Sequence, residues 1–136
     1  MSETDRSSPV ATILIIEDDD VMATDLQNGL SGAGYVVRRS GSAEEALATL
    51  KSTQTDLILM SLMLPDTDGL ILCSTLKAHF PAPIIVLIAR AGEVDRALAL
   101  ESGAIGCLTK PVHRDELLTQ VKAALKSPVF AQPRPA

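Results

Sequence analysis

Acidic, hydroxyl and basic side chains follow three separate apolar segments of this 136-residue chain. Four consecutive acids begin at Glu17, Ser61 ends a later apolar segment, and Lys110 follows the last one. Carboxylate oxygens are the ligands that Mg²⁺ prefers, so Glu17 and Asp18 are candidate metal ligands and Lys110 a candidate counter-charge. Asp19 and Asp20 can instead cap the next helix and interact with the positive end of its dipole, and we favour this explanation for Asp20. The Ser61 hydroxyl would become a nucleophile only beside a base that takes its proton.

The hydrophobic pattern predicts the elements that would position these groups. Strand-like runs cover residues 12–16, 35–37, 57–60, 84–88 and 105–108, and a helical stretch follows each run. Ser42 with Glu45 forms a capping box, Asp68 is a predicted helix cap, and Gly34 is a predicted helix end. A helix over about residues 93–102 should end at Gly103. Strict alternation of strand and helix predicts a parallel sheet with helices on both faces, whose functional residues converge at the carboxyl ends of the strands.

The composition predicts one globular domain. Apolar residues make up 46% of the chain and charged residues 21%, which is ordinary for a folded protein. The net charge of -5 argues against direct contact with nucleic acid and against a polybasic membrane surface. No apolar run reaches the length of a membrane span, which favours a cytoplasmic protein. We expect a disordered tail over residues 1–9, a domain over 10–126, and a linker or frayed end over 127–136.

Three short motifs resemble the signatures of bacterial response-regulator receiver domains. They are Ile13-Leu-Ile-Ile-Glu17-Asp18-Asp19, Leu62-Met-Leu-Pro65-Asp-Thr-Asp68-Gly69 and Leu108-Thr-Lys110-Pro111. The resemblance extends from about residue 12 to residue 126. It implies a flavodoxin-like (βα)5 fold, a three-layer sandwich with parallel strand order 2-1-3-4-5. It also implies an acidic Mg²⁺-binding pair at Glu17 and Asp18, a phosphate-contacting lysine at Lys110, and a cis Lys110–Pro111 bond.

The chain departs from that family pattern at three positions. Ser61 stands where the resemblance places the phosphate-accepting aspartate, and it removes one negative charge from the metal site. Ile88 stands at the position of the switch hydroxyl, and isoleucine cannot donate a hydrogen bond to a phosphoryl group. Cys107 replaces an aromatic residue in the last strand. Together with Cys73 it lacks the spacing of a metal site and is expected to be a buried thiol.

These departures favour a degenerate receiver, or pseudo-receiver, that signals through protein–protein interaction without aspartyl phosphorylation. We expect any Mg²⁺ binding to be weak and no cofactor to be required. The partner would be a kinase, an output domain or a second receiver, with a homodimer as one form of the last. The expected contact surface is the face formed by helix 4, strand 5 and helix 5. Its charged residues are Glu93, Asp95, Arg96, Glu101, His113, Arg114, Asp115 and Glu116.

Two other functions compete with this interpretation. The first is a phosphorylatable receiver that uses Ser61 or another acceptor and controls an output domain beyond the C-terminus. The second is an enzyme or electron carrier on the same fold. A flavodoxin would need a phosphate-binding loop after the first strand, where this chain has four acids that would repel a phosphate. We therefore expect no enzymatic activity.

Overall fold

The computed structural model describes residues 10–89 and 93–126, with the backbone alone at 93 and 94. Five strands and five helices alternate along the described chain. In order they are β1 (Thr12–Ile16), α1 (Asp20–Gly32), β2 (Val36–Ser40), α2 (Ala43–Ser52), β3 (Leu57–Ser61), α3 (Gly69–His79), β4 (Ile84–Ile88), α4 (Glu93–Glu101), β5 (Gly106–Thr109) and α5 (Arg114–Leu125). The strands form one parallel sheet in the order β2-β1-β3-β4-β5. This confirms the predicted flavodoxin-like fold.

Two apolar clusters form the core, one on each face of the sheet. Ile13 and Ile15 of β1 face α1 and α5, whereas Leu14 and Ile16 face the side of α2, α3 and α4. This alternation follows from the two-residue repeat of a strand. All five residues of β3 and of β4 are buried, because both strands lie inside the sheet and are covered on both faces. The result is the predicted three-layer sandwich.

Local hydrogen bonds set the helix ends largely where the sequence predicts them. Ser42 caps α2 by accepting a hydrogen bond from the Glu45 N–H at 3.2 Å. Asp68 caps α3 by accepting from the Leu70 N–H at 2.7 Å. The Glu45 carboxylate accepts from the Gly41 N–H at 2.7 Å, so it reaches one residue beyond the cap. The side-chain oxygens of Ser42 and Asp68 each satisfy a first-turn amide that the helix itself leaves without a partner.

The glycine at each of two helix ends confirms a further prediction. Gly34 follows α1 with φ +100°, and Gly103 follows α4 with φ +116°. A side chain at such a φ would collide with the backbone, so glycine is the residue that ends a helix in this conformation. The chain reverses direction at both positions and enters the next strand.

Three strand bounds differ from the sequence-based expectation. β2 covers Val36–Ser40 and not residues 35–37, because Arg38 and Arg39 fit an edge strand whose outer positions meet water. β5 begins at Gly106, one residue later than predicted. β3 includes Ser61, so the sheet itself directs this side chain. In addition, α4 ends at Glu101, one residue early.

The predicted tail over residues 1–9 and linker over 127–136 fall outside the described residues. Among the helices that the structure describes, none combines the length and the apolar character needed to cross a membrane.

Candidate functional site

The carboxyl ends of β1, β3 and β5 bring Glu17, Ser61 and Lys110 into direct contact. The Glu17 side chain is 2% exposed and Ser61 is 0% exposed. The Ser61 hydroxyl donates a hydrogen bond to Glu17 Oε1. Lys110 Nζ lies 3.1 Å from Ser61 Oγ and 3.1 Å from Glu17 Oε1. The acid, the hydroxyl and the lysine that the sequence places after separate strands therefore form one closed network.

The four acids after β1 have different surroundings. Glu17 Oε2 accepts a hydrogen bond from the Asp19 N–H at 3.1 Å. Asp19 is the N-cap of α1 and accepts from the Val21 N–H at 3.0 Å. The Asp20 carboxylate pairs with Arg39 and does not cap the helix. Asp18 is exposed at the edge of the site. Both acids thus lie at the start of α1, where a negative charge favours the helix: Asp19 caps it, and Asp20 lies in its first turn.

Arg39 is a component of the site that the sequence analysis does not identify. Its Nε and Nη2 atoms donate to the backbone carbonyl of Glu17 at 3.1 and 2.9 Å. Its Nη1 atom lies 2.8 Å from Asp20 Oδ1. An arginine near the carboxyl end of a strand that neighbours β1 is the signal that could have revealed it. The guanidinium fork suits several simultaneous acceptors of this kind.

Asp66 links the loop after β3 to the start of α2. Its carboxylate accepts hydrogen bonds from the Ala43 N–H at 2.9 Å and from the Glu44 N–H at 3.0 Å. These bonds, first that of Ala43 and then that of Glu44, lower the pKa of Asp66 from its ordinary value. Asp66 and Asp68 are thus both engaged at helix starts, and neither carboxylate takes part in the Glu17–Ser61–Lys110 network.

The two predicted switch positions are buried in the core. Ile88 ends β4 with its side chain 1% exposed, and Cys107 in β5 is 3% exposed. Both belong to the apolar cluster on the side of α2, α3 and α4. Burial raises the pKa of the Cys107 thiol, an effect that Arg96 opposes. Burial, and then the nearby Cys107, raise the pKa of Cys73, so both thiols are the buried free cysteines that the sequence predicts.

The residues present do not fit a bound Mg²⁺ ion. One oxygen of Glu17 is taken by Ser61 and Lys110, and the other by the Asp19 amide. Ser61 is neutral, the Lys110 ammonium is already paired with the Glu17 carboxylate, and Asp18, the other predicted ligand, is exposed. Mg²⁺ loses its hydration reluctantly and depends on a few free carboxylate oxygens. Within residues 10–89 and 93–126, no three His, Cys, Asp or Glu side chains are grouped so as to hold a metal.

The predicted contact face is largely exposed, with one correction. Its described residues on the outside are Asp95, Arg96, Glu101, His113, Asp115 and Glu116. Arg114 is exposed as well, but its side chain packs toward α1, with Nε 3.3 Å from where a β-carbon of Gly29 would stand. The helical repeat directs the side chain of this first residue of α5 toward α1 and away from the α4–β5–α5 face. The side chain of Glu93 lies outside the described part of the chain.

Comparison with curated proteins identifies a family. Residues 13–122 match the model of the response regulator receiver domain. The chain is 36% identical over 115 residues to the transcriptional regulatory protein AfsQ1 of Streptomyces coelicolor. It is 37% identical over 114 residues to the DNA-binding response regulator MtrA of Mycolicibacterium smegmatis. These alignments cover 85% and 84% of this chain but 51% and 50% of those proteins, so the chain spans about half their length.

Solved structures agree with this assignment. A putative response regulator from Chloroflexus aurantiacus is similar with a TM-score of 0.84 at 36% identity, covering 88% of this chain and 100% of that one. The receiver domain of the TMAO respiratory system response regulator TorR has a TM-score of 0.80 at 34% identity, covering 85% and 96%. The chain belongs to the response regulator receiver domain family. It is a receiver domain of a two-component response regulator.

Proposed function

We propose that this receiver works without aspartyl phosphorylation and transmits its signal through contacts with other proteins. The observation that carries the proposal is the environment of Ser61, which we assign to the acceptor position at the end of β3. Ser61 is fully buried, and Glu17 and Lys110 both bond to its hydroxyl. An aspartate is an anion at neutral pH and attacks phosphorus without help, whereas serine must first lose a proton.

The switch positions support the same proposal. We assign Ile88 to the position that would sense a phosphoryl group and Cys107 to the position that would report it. Ile88 has no polar atom in its side chain to donate to a phosphoryl oxygen. Cys107 is a small buried thiol packed in the core, so it has no aromatic ring that could turn outward. The chain therefore lacks the usual side chain both for accepting a phosphoryl group and for responding to it.

The surface that we propose for partner binding is the α4–β5–α5 face, within a domain of residues 10–126. It combines charged side chains with the exposed apolar residues Leu98 and Ile105. A mixture of apolar and charged groups is typical of protein contact surfaces. The partner is a kinase, an output domain or a second receiver. MtrA is named as DNA-binding, and for this chain we propose that any such contact is made by a partner module, since the net charge is -5.

A second candidate function, phosphorylation of Ser61 itself, has one observation in its favour. The Ser61 hydroxyl donates to the Glu17 carboxylate, which is the arrangement that a base-assisted serine nucleophile requires. Burial opposes this candidate, because an incoming phosphodonor must reach an oxygen that solvent does not. A carboxylate is also a poorly matched base for a serine hydroxyl.

The test is incubation with acetyl phosphate and Mg²⁺ followed by intact-mass measurement. Ser61→Asp is the matched variant, because it restores the carboxylate and leaves the rest of the site unchanged. We expect the wild-type mass to stay constant and the variant to gain one phosphoryl group. A phosphorylated wild-type protein would refute the proposal. Hydroxylamine would then distinguish a labile aspartyl phosphate from a stable serine ester and so identify the acceptor.

A further inference from the structure

Two basic side chains, Arg39 and Lys110, supply positive charge to the acidic end of β1. Lys110 Nζ lies 3.1 Å from Glu17 Oε1, and Arg39 Nη1 lies 2.8 Å from Asp20 Oδ1. The two cations reach the acids from opposite sides, Lys110 from after β5 and Arg39 from β2. Together they carry two positive charges, which is the charge of one divalent ion.

The contacts of Arg39 with the backbone are the more specific part of this arrangement. Two nitrogen atoms of its guanidinium donate to the same carbonyl oxygen, that of Glu17, at 3.1 and 2.9 Å. The Arg39 side chain is 27% exposed, whereas its ion-pair partner Asp20 is 87% exposed. An exposed ion pair contributes little by itself, but the charge-assisted bonds of Arg39 to the carbonyl of buried Glu17 hold the backbone in place. Arg39 therefore positions the turn from β1 into α1.

The strand register explains why Arg39 reaches this carbonyl. Residues 36–40 of β2 pair in parallel with residues 12–16 of β1, and the Glu17 N–H extends the ladder by donating to Ser40 O at 3.0 Å. Glu17 thus lies directly beside the end of β2. From there, the long Arg39 side chain crosses to the carbonyl of Glu17 and on to Asp20.

We propose that Arg39 and Lys110 are built-in counter-cations that keep the acidic end of β1 in its folded shape without a divalent metal ion. The inference rests on the proposed function and deepens it, because it explains what offsets the repulsion between neighbouring carboxylates in a receiver that does not use a metal for phosphorylation. It makes a separate claim, however, about folding stability and metal response. Arg39 and Lys110 are positioning residues in this proposal.

The test is thermal unfolding in EDTA and in millimolar Mg²⁺, without any phosphodonor. We expect the wild-type Tm to differ by less than about 1 °C between the two buffers, because a ligand stabilises a protein only in proportion to its occupancy. Ser61→Asp is the positive control, since its added carboxylate should make Mg²⁺ raise the Tm. Arg39→Gln should lower the Tm by about 4 °C in EDTA. In Mg²⁺ the Tm of this variant should be partly restored, because the metal ion replaces some of the missing positive charge.

Arg38→Gln is the matched control for the arginine, because Arg38 is an exposed neighbour on the same strand. It should leave both the Tm and the Mg²⁺ response unchanged. If Arg39→Gln does not fold, Arg39→Lys keeps the charge without the two-pronged contact and should give an intermediate Tm.

A wild-type Tm that rises with Mg²⁺ as much as that of Ser61→Asp would overturn the inference. An Arg39→Gln variant that behaves like Arg38→Gln would overturn it equally. Neither result depends on phosphorylation, because the unfolding experiments contain no phosphodonor and only the mass experiment detects a phosphoryl group.

Discussion

The contact between Lys110 and the buried Glu17 carboxylate allows a quantitative prediction. At 3.1 Å and an effective dielectric constant of about 20, the attraction is about 5 kcal/mol before the cost of removing both charges from water. Lys110 is 29% exposed, so solvent screens part of this attraction. Lys110→Met keeps the length of the side chain but leaves Glu17 with only the Ser61 hydroxyl and the Asp19 amide. We expect it to lower the free energy of unfolding by about 2 kcal/mol.

The second half of the prediction uses a double-mutant cycle. Glu17→Gln removes the buried charge and leaves Lys110 free to turn toward water, so it should be the milder change, near 1 kcal/mol. In the Lys110→Met background, however, Glu17→Gln removes an unpaired buried charge and should have little cost. The double variant should therefore be more stable than the sum of the single effects predicts, by roughly 1 kcal/mol.

Equilibrium unfolding in urea, with the slope compared among variants, measures all four proteins of the cycle. Lys122→Met is the control, because Lys122 is an exposed lysine on α5 and its loss should change stability by no more than about 0.5 kcal/mol. A Lys110→Met variant as stable as Lys122→Met would refute a stabilising contact between Lys110 and Glu17. Single effects of Lys110→Met and Glu17→Gln that add without coupling would refute it equally, since the ion pair would then contribute nothing.

Two further predictions concern the loop after β3. The pKa of Asp66 lies below its ordinary value of 3.8, because two amides at the start of α2 donate to the carboxylate. The ionised carboxylate therefore stabilises the folded domain above pH 3.8, and this stabilisation is lost as the pH falls through the folded-state pKa. Wild type should therefore exceed Asp66→Asn in stability at about pH 5 and lose this advantage toward about pH 2, and a difference that is constant with pH would contradict the assignment. A β-carbon on Gly69 would lie 2.4 Å from the Cα of Leu62, so Gly69→Ala should destabilise the domain by about 2 kcal/mol or more in urea unfolding. Gly32→Ala, whose β-carbon meets nothing within 4 Å, should change stability by no more than about 0.5 kcal/mol, and equal effects of the two changes would refute the steric argument.

The difference between the predicted and the observed β2 has its cause in the tertiary structure. The local pattern predicts that β2 ends before its two arginines, because charged residues interrupt an apolar run. In the structure β2 is an edge strand, where Arg38 faces water and Arg39 has polar partners at the end of β1. Whether a charged residue fits a strand depends on the strand's place in the sheet, and the local pattern does not contain that information.

The amino-acid pattern alone predicts the order of the elements, the caps at Ser42 and Asp68, and the convergence of Glu17, Ser61 and Lys110 on one edge of the sheet. These features depend on side-chain periodicity, on hydrogen bonds a few residues apart, and on the rule that parallel strands end together. The long-range packing of the folded chain, in contrast, sets which cation pairs with which acid, binds Asp66 to the start of α2, and places Arg114 against α1. Such partners lie more than a dozen residues apart in sequence, so the strand register and the packing of helices on the sheet select them.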